Sequence, residues 1–436
     1  MIAYFYPPLA GMGMLRTLKF AKYLPKFGWQ SVILTPRNGR SYAYCEESEG
    51  DLPRAEIIRT NFADIDLGIY KFFGCTTPST QRNDNHPTQP LKVRPEAVRR
   101  LSGYIWEWIN FPDGAIGWYP FAVQAGKDYI SRKGVDLIYS TSSPETSHLI
   151  ACYLKKKTGL PWVADFRDLW TANPYYDRSS FRKRIEKVVE SHILKHADAA
   201  ITVSKVLAHK MHSYLPFLNG KIYVVPNGYD EDDFQAIQYT PPSKFIIIYT
   251  GRLYRFKRDP EILFKVLSHL IEKGKMDPDR VEAHFYVGDI YGFRELVRKH
   301  NLHKVVKFHS FVPYKESLKR QMEASILLLL QWEPRHDSGV YTGKIFEYLR
   351  AHRPILAIPS SSEVVEELLN KTNAGIVVSN EDELENVLIE WYQEYIKTGM
   401  VSYKGVESEI NKYTREKCTK KLASILDDVI SIGSKK

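Results

Sequence analysis

The sequence predicts an α/β protein of two Rossmann-like, doubly wound domains facing across a cleft, with a C-terminal helix crossing back to the first. Short apolar runs alternate with helical stretches in two successive series, each of the kind that builds a parallel sheet. One acidic, proline-containing stretch, Glu231 to Ser243, separates the series and reads as the linker. A chain of 436 residues suffices for two full cores. The expected division is 1–235, 236–408 and a terminal helix over 409–436.

The first strand, Ile2 to Tyr6, is short, and a few of its residues are missing if the chain begins late. It runs into Tyr6-Pro-Pro-Leu-Ala-Gly-Met-Gly-Met14 and a helix with Leu15, Leu18, Ala21 and Leu24 on one face. Gly11 and Gly13 look like the start of a dinucleotide fingerprint, but Arg16 stands where its third glycine belongs. Two readings remain: glycines that let backbone approach a ligand at a helix start, or a tight turn. Strands follow at Ser31–Thr35 and Glu56–Arg59. Residues 74–95 form a polar, proline-punctuated excursion, and an aromatic helix follows at Leu101–Ile109, readable as core or as an acceptor- or membrane-facing surface.

The alternation then becomes regular. Strand Asp136–Ser140 leads to Thr141-Ser-Ser-Pro and a helix containing His148, and strand Trp162–Asp165 leads to Phe166-Arg-Asp-Leu-Trp. A basic amphipathic helix near 180–196 precedes strand Ala199–Val203, Ser204 caps another helix, and strand Ile222–Val225 closes the first series. The second series has strands at Phe245–Thr250, 281–287, 305–308, 325–330, 354–358 and 374–378. The run Ser325-Ile-Leu-Leu-Leu-Leu330 suits a strand buried on both faces. After it, a polar loop reaches a helix starting near Gly343, whose first turn carries Lys344 and Glu347. A helix starting at a strand's carboxyl end aims N–H groups into the crevice where such folds bind ligands. The plainer reading is a βαβ connection with solvated charges.

Composition narrows the function classes. No apolar run approaches the ~20 residues of a membrane span, and Ile2–Tyr6 is too short for a secretory signal. The four cysteines lack metal or redox spacing, which fits a reduced, cytoplasmic setting with no metal. The net charge of +10 is spread over both halves without a basic helix or aromatic nucleic-acid motif. It suits anionic substrates or weak attraction to an anionic membrane surface, and argues against nucleic acid.

Five segments in this order resemble the retaining glycosyltransferases of family 4, which have the GT-B fold: Phe5-Tyr-Pro-Pro-Leu-Ala-Gly-Met-Gly; Pro161-Trp-Val-Ala-Asp-Phe-Arg-Asp-Leu-Trp; Val225-Pro-Asn-Gly-Tyr-Asp; Tyr249-Thr-Gly-Arg-Leu with Lys257; and Gly343-Lys-Ile-Phe-Glu-Tyr-Leu-Arg. The resemblance spans nearly the whole chain. It implies sugar transfer from a nucleotide sugar, such as a UDP- or GDP-sugar, to a glycan or polyprenyl-linked acceptor, with no cofactor. The donor would be held mainly by the second domain: Arg252 and Lys257 on the diphosphate, Thr342, Gly343 and Lys344 at the helix start, Glu347 on the ribose, and Gly288, His309 and Phe311 around the base. Gly11 and Gly13 would complete it from the first domain. The solvated-surface reading of Arg252 and Lys257 stands beside this one.

Two departures follow. The family's Glu-x7-Glu motif puts its first glutamate, a contact of the transferred sugar, at Gly339; either Asp337 takes that task or the contact is lost. Many relatives carry a His-Asp pair where this chain has Arg167-Asp168, a form shared by one branch of the family. Asp165 or Asp168 could orient an acceptor hydroxyl and Arg167 reach a phosphate, or these residues form a structural pair beneath the site. His148 is an acceptor-side candidate or a core histidine. The alternatives to a transferase are a GT-B-fold sugar-nucleotide epimerase and a non-catalytic nucleotide- or glycan-binding homologue.

Overall fold

The computed structural model describes residues 1–11, 13–39, 43–44, 53–64, 108–173, 176, 178–235, 237–254, 257–288, 290, 292–331, 339–359 and 362–433. The polar excursion at 74–95, most of the aromatic helix at 101–109 and Asp337 lie outside them. The chain divides into two compact units. The first comprises Met1–Thr202, Met211–Tyr223 and Ala423–Lys436; the second comprises Val203–Lys210 and Val224–Leu422.

In chain order the first series comprises β1 (Leu9–Ala10), α1 (Met14–Tyr23), β2 (Val32–Pro36), β3 (Ala43–Tyr44), β4 (Glu56–Thr60), α2 (Tyr119–Lys133), β5 (Ile138–Ser142), α3 (Thr146–Thr158), β6 (Trp162–Phe166), α4 (Ser180–Leu194), β7 (Ala199–Thr202), α5 (Lys205–Tyr214) and β8 (Ile222–Val224). The expected first strand is reduced to Ile2, which bridges in parallel to Leu34 of β2 and to Ser140 of β5. Beyond it the Tyr4 carbonyl accepts from the Thr35 hydroxyl at 3.2 Å. The sheet order is therefore β4-β2-Ile2-β5-β6-β7-β8. The first strand lies in the middle and the chain winds outward from it in both directions. The switch point falls between Ile2 and β5, so the loops after those two strands form the crevice where such sheets bind ligands.

The second series comprises α6 (Asp232–Gln235), β9 (Phe245–Thr250), α7 (Glu261–Glu272), β10 (Val281–Tyr286), α8 (Phe293–Lys299), β11 (Val306–His309), α9 (Tyr314–Met322), β12 (Ile326–Leu330), α10 (Lys344–Ala351), β13 (Ile355–Ile358), α11 (Glu363–Thr372), β14 (Gly375–Val377), α12 (Glu381–Thr398), α13 (Glu407–Ile410) and α14 (Arg415–Gly433). Its sheet is wholly parallel in the order β11-β10-β9-β12-β13-β14. Numbered within the unit this is 3-2-1-4-5-6, the Rossmann order, with the switch point between β9 and β12. Every residue of β12 is buried, as a strand covered on both faces requires. α14 begins in the second unit and ends in the first, where the Trp29 indole donates to the Asp427 carboxylate at 2.9 Å. Among the described residues no helix is long and apolar enough to cross a membrane.

Candidate active site

In the first unit, Gly13 caps α1 at φ 95°, a left-handed conformation that L side chains rarely adopt. A Cβ at Gly13 would lie 1.9 Å from Nη1 of Arg167, and one at Gly11 would lie 2.4 Å from the Phe5 ring. Both glycines therefore make room, one for a cation and one for a ring. The pocket above is lined by Tyr4, Phe5, Gly13, Thr17, Thr141, Ser142, Ser143 and Arg167, drawn from both sides of the switch point. It is a small recess, far too small as it stands for a whole nucleotide.

Arg167 is only 8% exposed. Its Nε and Nη2 are buried without hydrogen-bond partners, and the nearest acid, Asp168, stands 3.8 Å from Nε. Burial lowers its proton affinity, and the charges of Asp168 and Asp165 oppose that shift only in part. A guanidinium left this way is costly unless an anion comes to it.

The neighbouring candidates are placed differently. Asp165 is fully buried and takes both Nε and Nη2 of Arg16 at 2.8 Å, the Tyr139 hydroxyl at 2.6 Å and the Thr141 hydroxyl at 3.1 Å. Burial alone would raise its pKa; the Arg16 charge and these hydrogen bonds hold it below the usual carboxylate range. Arg16, the residue that breaks the glycine fingerprint, is thus the counter-ion beneath the loop. His148 is fully buried between aromatic rings, 4.3 Å from that of Phe166, with Nδ1 2.8 Å from the Ser140 hydroxyl. Burial pushes it down to about 3, which makes it a neutral core histidine.

Sequence reasoning missed a carboxyl pair beside the pocket. Glu145 accepts from the Ser143 hydroxyl at 3.0 Å and hydrogen-bonds Asp113. Asp113 accepts from the Thr146 amide and hydroxyl, each at 2.8 Å. Burial, then the charge of Asp113, push Glu145 up to about 8. It missed too the charges buried on α4: Arg182 pairs with Glu186 at 2.6 Å and donates to the carbonyls of Asn110 and Pro112, while Glu190 accepts from the Thr171 amide and the Tyr214 hydroxyl. The signal was the spacing of Arg182, Glu186 and Glu190, one helical face.

In the second unit the switch point brings Gly251, after β9, against the start of α10. A Cβ at Gly251 would lie 2.4 Å from Nζ of Lys344, and Gly251 has φ 128°. Lys344 Nζ sits 3.9 Å from the centre of the Tyr249 ring. Burial and then the charge of Arg258 lower Lys344 to about 7, against a smaller opposing pull from Glu347. One turn on, Glu347 Oε2 accepts from Gln321 Nε2 at 3.1 Å, and burial raises its pKa. The Tyr348 hydroxyl accepts from the Thr250 amide at 3.2 Å and ties β9 to α10. Gly343 caps the helix with open space on its Cβ side, and the Thr342 hydroxyl is buried without a partner.

Arg252 and Lys257 are exposed, and Arg252 offers its carbonyl to the Tyr249 hydroxyl at 2.7 Å. The cation that reaches Lys344 is Arg258, half-buried, its Nε without a partner. On the same sheet edge, the half-exposed ring of Phe311 lies where a Cβ of Gly288 would be, at 2.1 Å. His309 turns into a stack with Tyr286 at 4.5 Å and is 3.1 Å from His284.

Gly339 has φ 66°, its carbonyl accepts from the Ser204 hydroxyl at 2.6 Å, and a Cβ there would lie 2.6 Å from Val206. A glutamate at 339 has no room, so the glycine is built into the loop. Among the described residues no group of three or more His, Cys, Asp or Glu converges as a metal site would.

Two Rossmann-like units, each with a glycine turn and a cation at its switch point, have the architecture of the GT-B glycosyltransferases. Many solved structures share it, three of which follow. A glycosyltransferase from Rickettsia africae matches with a TM-score of 0.62 at 15% identity over 98% of each chain. Sucrose-phosphate synthase from Thermosynechococcus elongatus matches at 0.59 and 14% over 99% of each. HepE from Anabaena, in complex with UDP, matches at 0.52 and 14% over 100% of this chain and 97% of that one. The chain belongs to glycosyltransferase family 4, whose model matches residues 16–233. No curated protein matches it in sequence.

Proposed function

We propose that this glycosyltransferase is a retaining enzyme that moves a sugar from a nucleoside-diphosphate sugar to a glycan or polyprenyl-linked acceptor. The observation that carries the reading is the pair at the start of α10: a cation, Lys344, beside the Gly251 turn, and a carboxylate, Glu347, one turn along. Lys344, with Arg258, suits a diphosphate, and Glu347 suits ribose hydroxyls; Arg252 and Lys257 lend charge from the exposed side. UDP bound to the Anabaena neighbour supports a uridine nucleotide as the first candidate.

In the first unit the buried, unpartnered donors of Arg167 beside Gly13 suit an anionic group of a ligand. The acceptor oxygen attacks the anomeric carbon on the face the diphosphate leaves. The carbon–phosphate-oxygen bond breaks as the new glycosidic bond forms, and the acceptor proton passes to the departing phosphate. No resident cofactor is assigned, and Asp165 and His148 take structural parts. The reading places the enzyme in the cytoplasm, peripheral on the membrane where its acceptor is lipid-linked.

A thermal-shift panel of nucleoside diphosphates and their sugars tests it. A ligand at a hundred times its Kd adds about 2.7 kcal/mol, a shift of several degrees, and Glu347→Ala removes most of it. No shift with any nucleoside diphosphate would sink the reading.

A further inference from the structure

α4 buries three charged side chains beside its apolar Ile193 and Leu194 and leaves two large apolar ones in solvent. Its two acids, Glu186 and Glu190, and Arg182 are fully buried, satisfied by Trp170, Thr171, Tyr214 and backbone carbonyls. Outward stand Phe181, 67% exposed, and Val188, 69% exposed, with the exposed cations Arg184 and Lys187 between them. Trp108, also exposed, packs its ring 6.0 Å from that of Phe181 and stacks on Phe111, which in turn lies 5.5 Å from the Arg182 guanidinium. Exposed aromatic and aliphatic groups thus stand on a helix face whose exposed charges are all positive. Near His192, on the next turn, stands another cation, Lys156 of α3, 3.5 Å away.

We infer that the outward face of α4, with Trp108, is a docking surface for an anionic lipid bilayer. An apolar ridge with cations beside it and its acids turned inward is what an interface-lying helix needs: rings enter the headgroup–acyl boundary while Lys and Arg meet lipid phosphates. The exposed charges of α4 are all cationic, which complements a polyanionic surface. The face shares no residue with the nucleotide site, and the inference, which rests on the transferase reading, specifies how the chain would reach a lipid-linked acceptor.

Co-sedimentation with phosphatidylcholine vesicles, with and without phosphatidylglycerol, tests it on the full chain. Binding is expected only with the anionic lipid and falls as salt is raised. Arg184→Gln and Lys187→Gln each weaken it roughly fivefold, from about one charge's attraction to such a surface. Phe181→Asp with Val188→Asp abolishes it. All variants keep the nucleotide thermal shift, which separates loss of the face from loss of the fold and tests the donor reading independently. Equal binding to neutral vesicles, undiminished binding of the variants, or a dimer dissolved by Phe181→Asp in place of vesicle binding would each overturn it.

Discussion

Lys344 makes nucleotide binding depend on pH in a direction that can be worked out in advance. In the free protein, burial and Arg258 lower it to about 7, whereas an ordinary lysine titrates near 10.4. A bound diphosphate adds opposite charge within reach and returns the group towards that ordinary value. If only the charged form binds, half of the sites are competent near pH 7 and about one in a hundred near pH 9. Apparent affinity for UDP therefore falls about fiftyfold across that window, some 2.3 kcal/mol at 1.36 kcal/mol per unit. Phosphate titration contributes little, since its second pKa lies near 6. Isothermal titration in two buffers of different ionisation enthalpy should register close to one proton taken up per nucleotide near pH 8. Lys344→Met should bind weakly with no slope. The sign for the free protein is opposite: between about 7 and ~10.4 the unfolded chain holds a proton that the folded one lacks, so Lys344 makes stability rise with pH. An affinity that is flat from pH 7 to 9, or a slope that survives in Lys344→Met, would refute the placement of the diphosphate.

Other perturbations separate site from scaffold. Arg167→Ala should cut turnover by roughly 10²–10³ while the melting temperature holds or rises, since it removes a buried charge with unmet donors; a matching fall in melting temperature would make Arg167 structural. Asp165→Ala strands Arg16 in the core and should cost about 3–5 kcal/mol by urea unfolding; a loss under ~1 kcal/mol would mean the pair carries little. Glu145 titrates at about 8 in the fold and near 4.3 unfolded, so its contribution to stability is present at low pH and lost as pH rises between those values. Glu145→Gln should flatten that part of the stability–pH curve, and an unchanged curve would locate the titration elsewhere.

The fold was legible because its signals are local. Ile326–Leu330 reads as a buried strand from five residues, and Gly343 with Lys344 reads as a helix start from two. What was not legible depends on residues far apart in the chain. Nothing near Asp165 announces that its partner is Arg16, 149 positions away, so a carboxylate offered for chemistry proves to hold the loop from below. Gly339 reads as a lost glutamate until Val206 is seen against it. Arg258 was overlooked beside Arg252 and Lys257 because order in sequence does not tell which cation turns inward. α4 misled in another way: the usual rule puts Arg182, Glu186 and Glu190 in solvent, whereas they are buried with Ile193 and Leu194 while Phe181 and Val188 stand exposed.

The inward charges of α4 also bear on how far the Asp-Phe-Arg-Asp-Leu-Trp segment can be transplanted. Its tryptophan is held by Glu186, the threonine after it by Glu190, and its first aspartate by Arg16. None of these belongs to the segment, so the six letters are a tenant of the scaffold. Grafted onto another α/β sheet they would carry the spelling without the shape. A designer wanting the Arg167 pocket would have to move α1, β6 and α4 together.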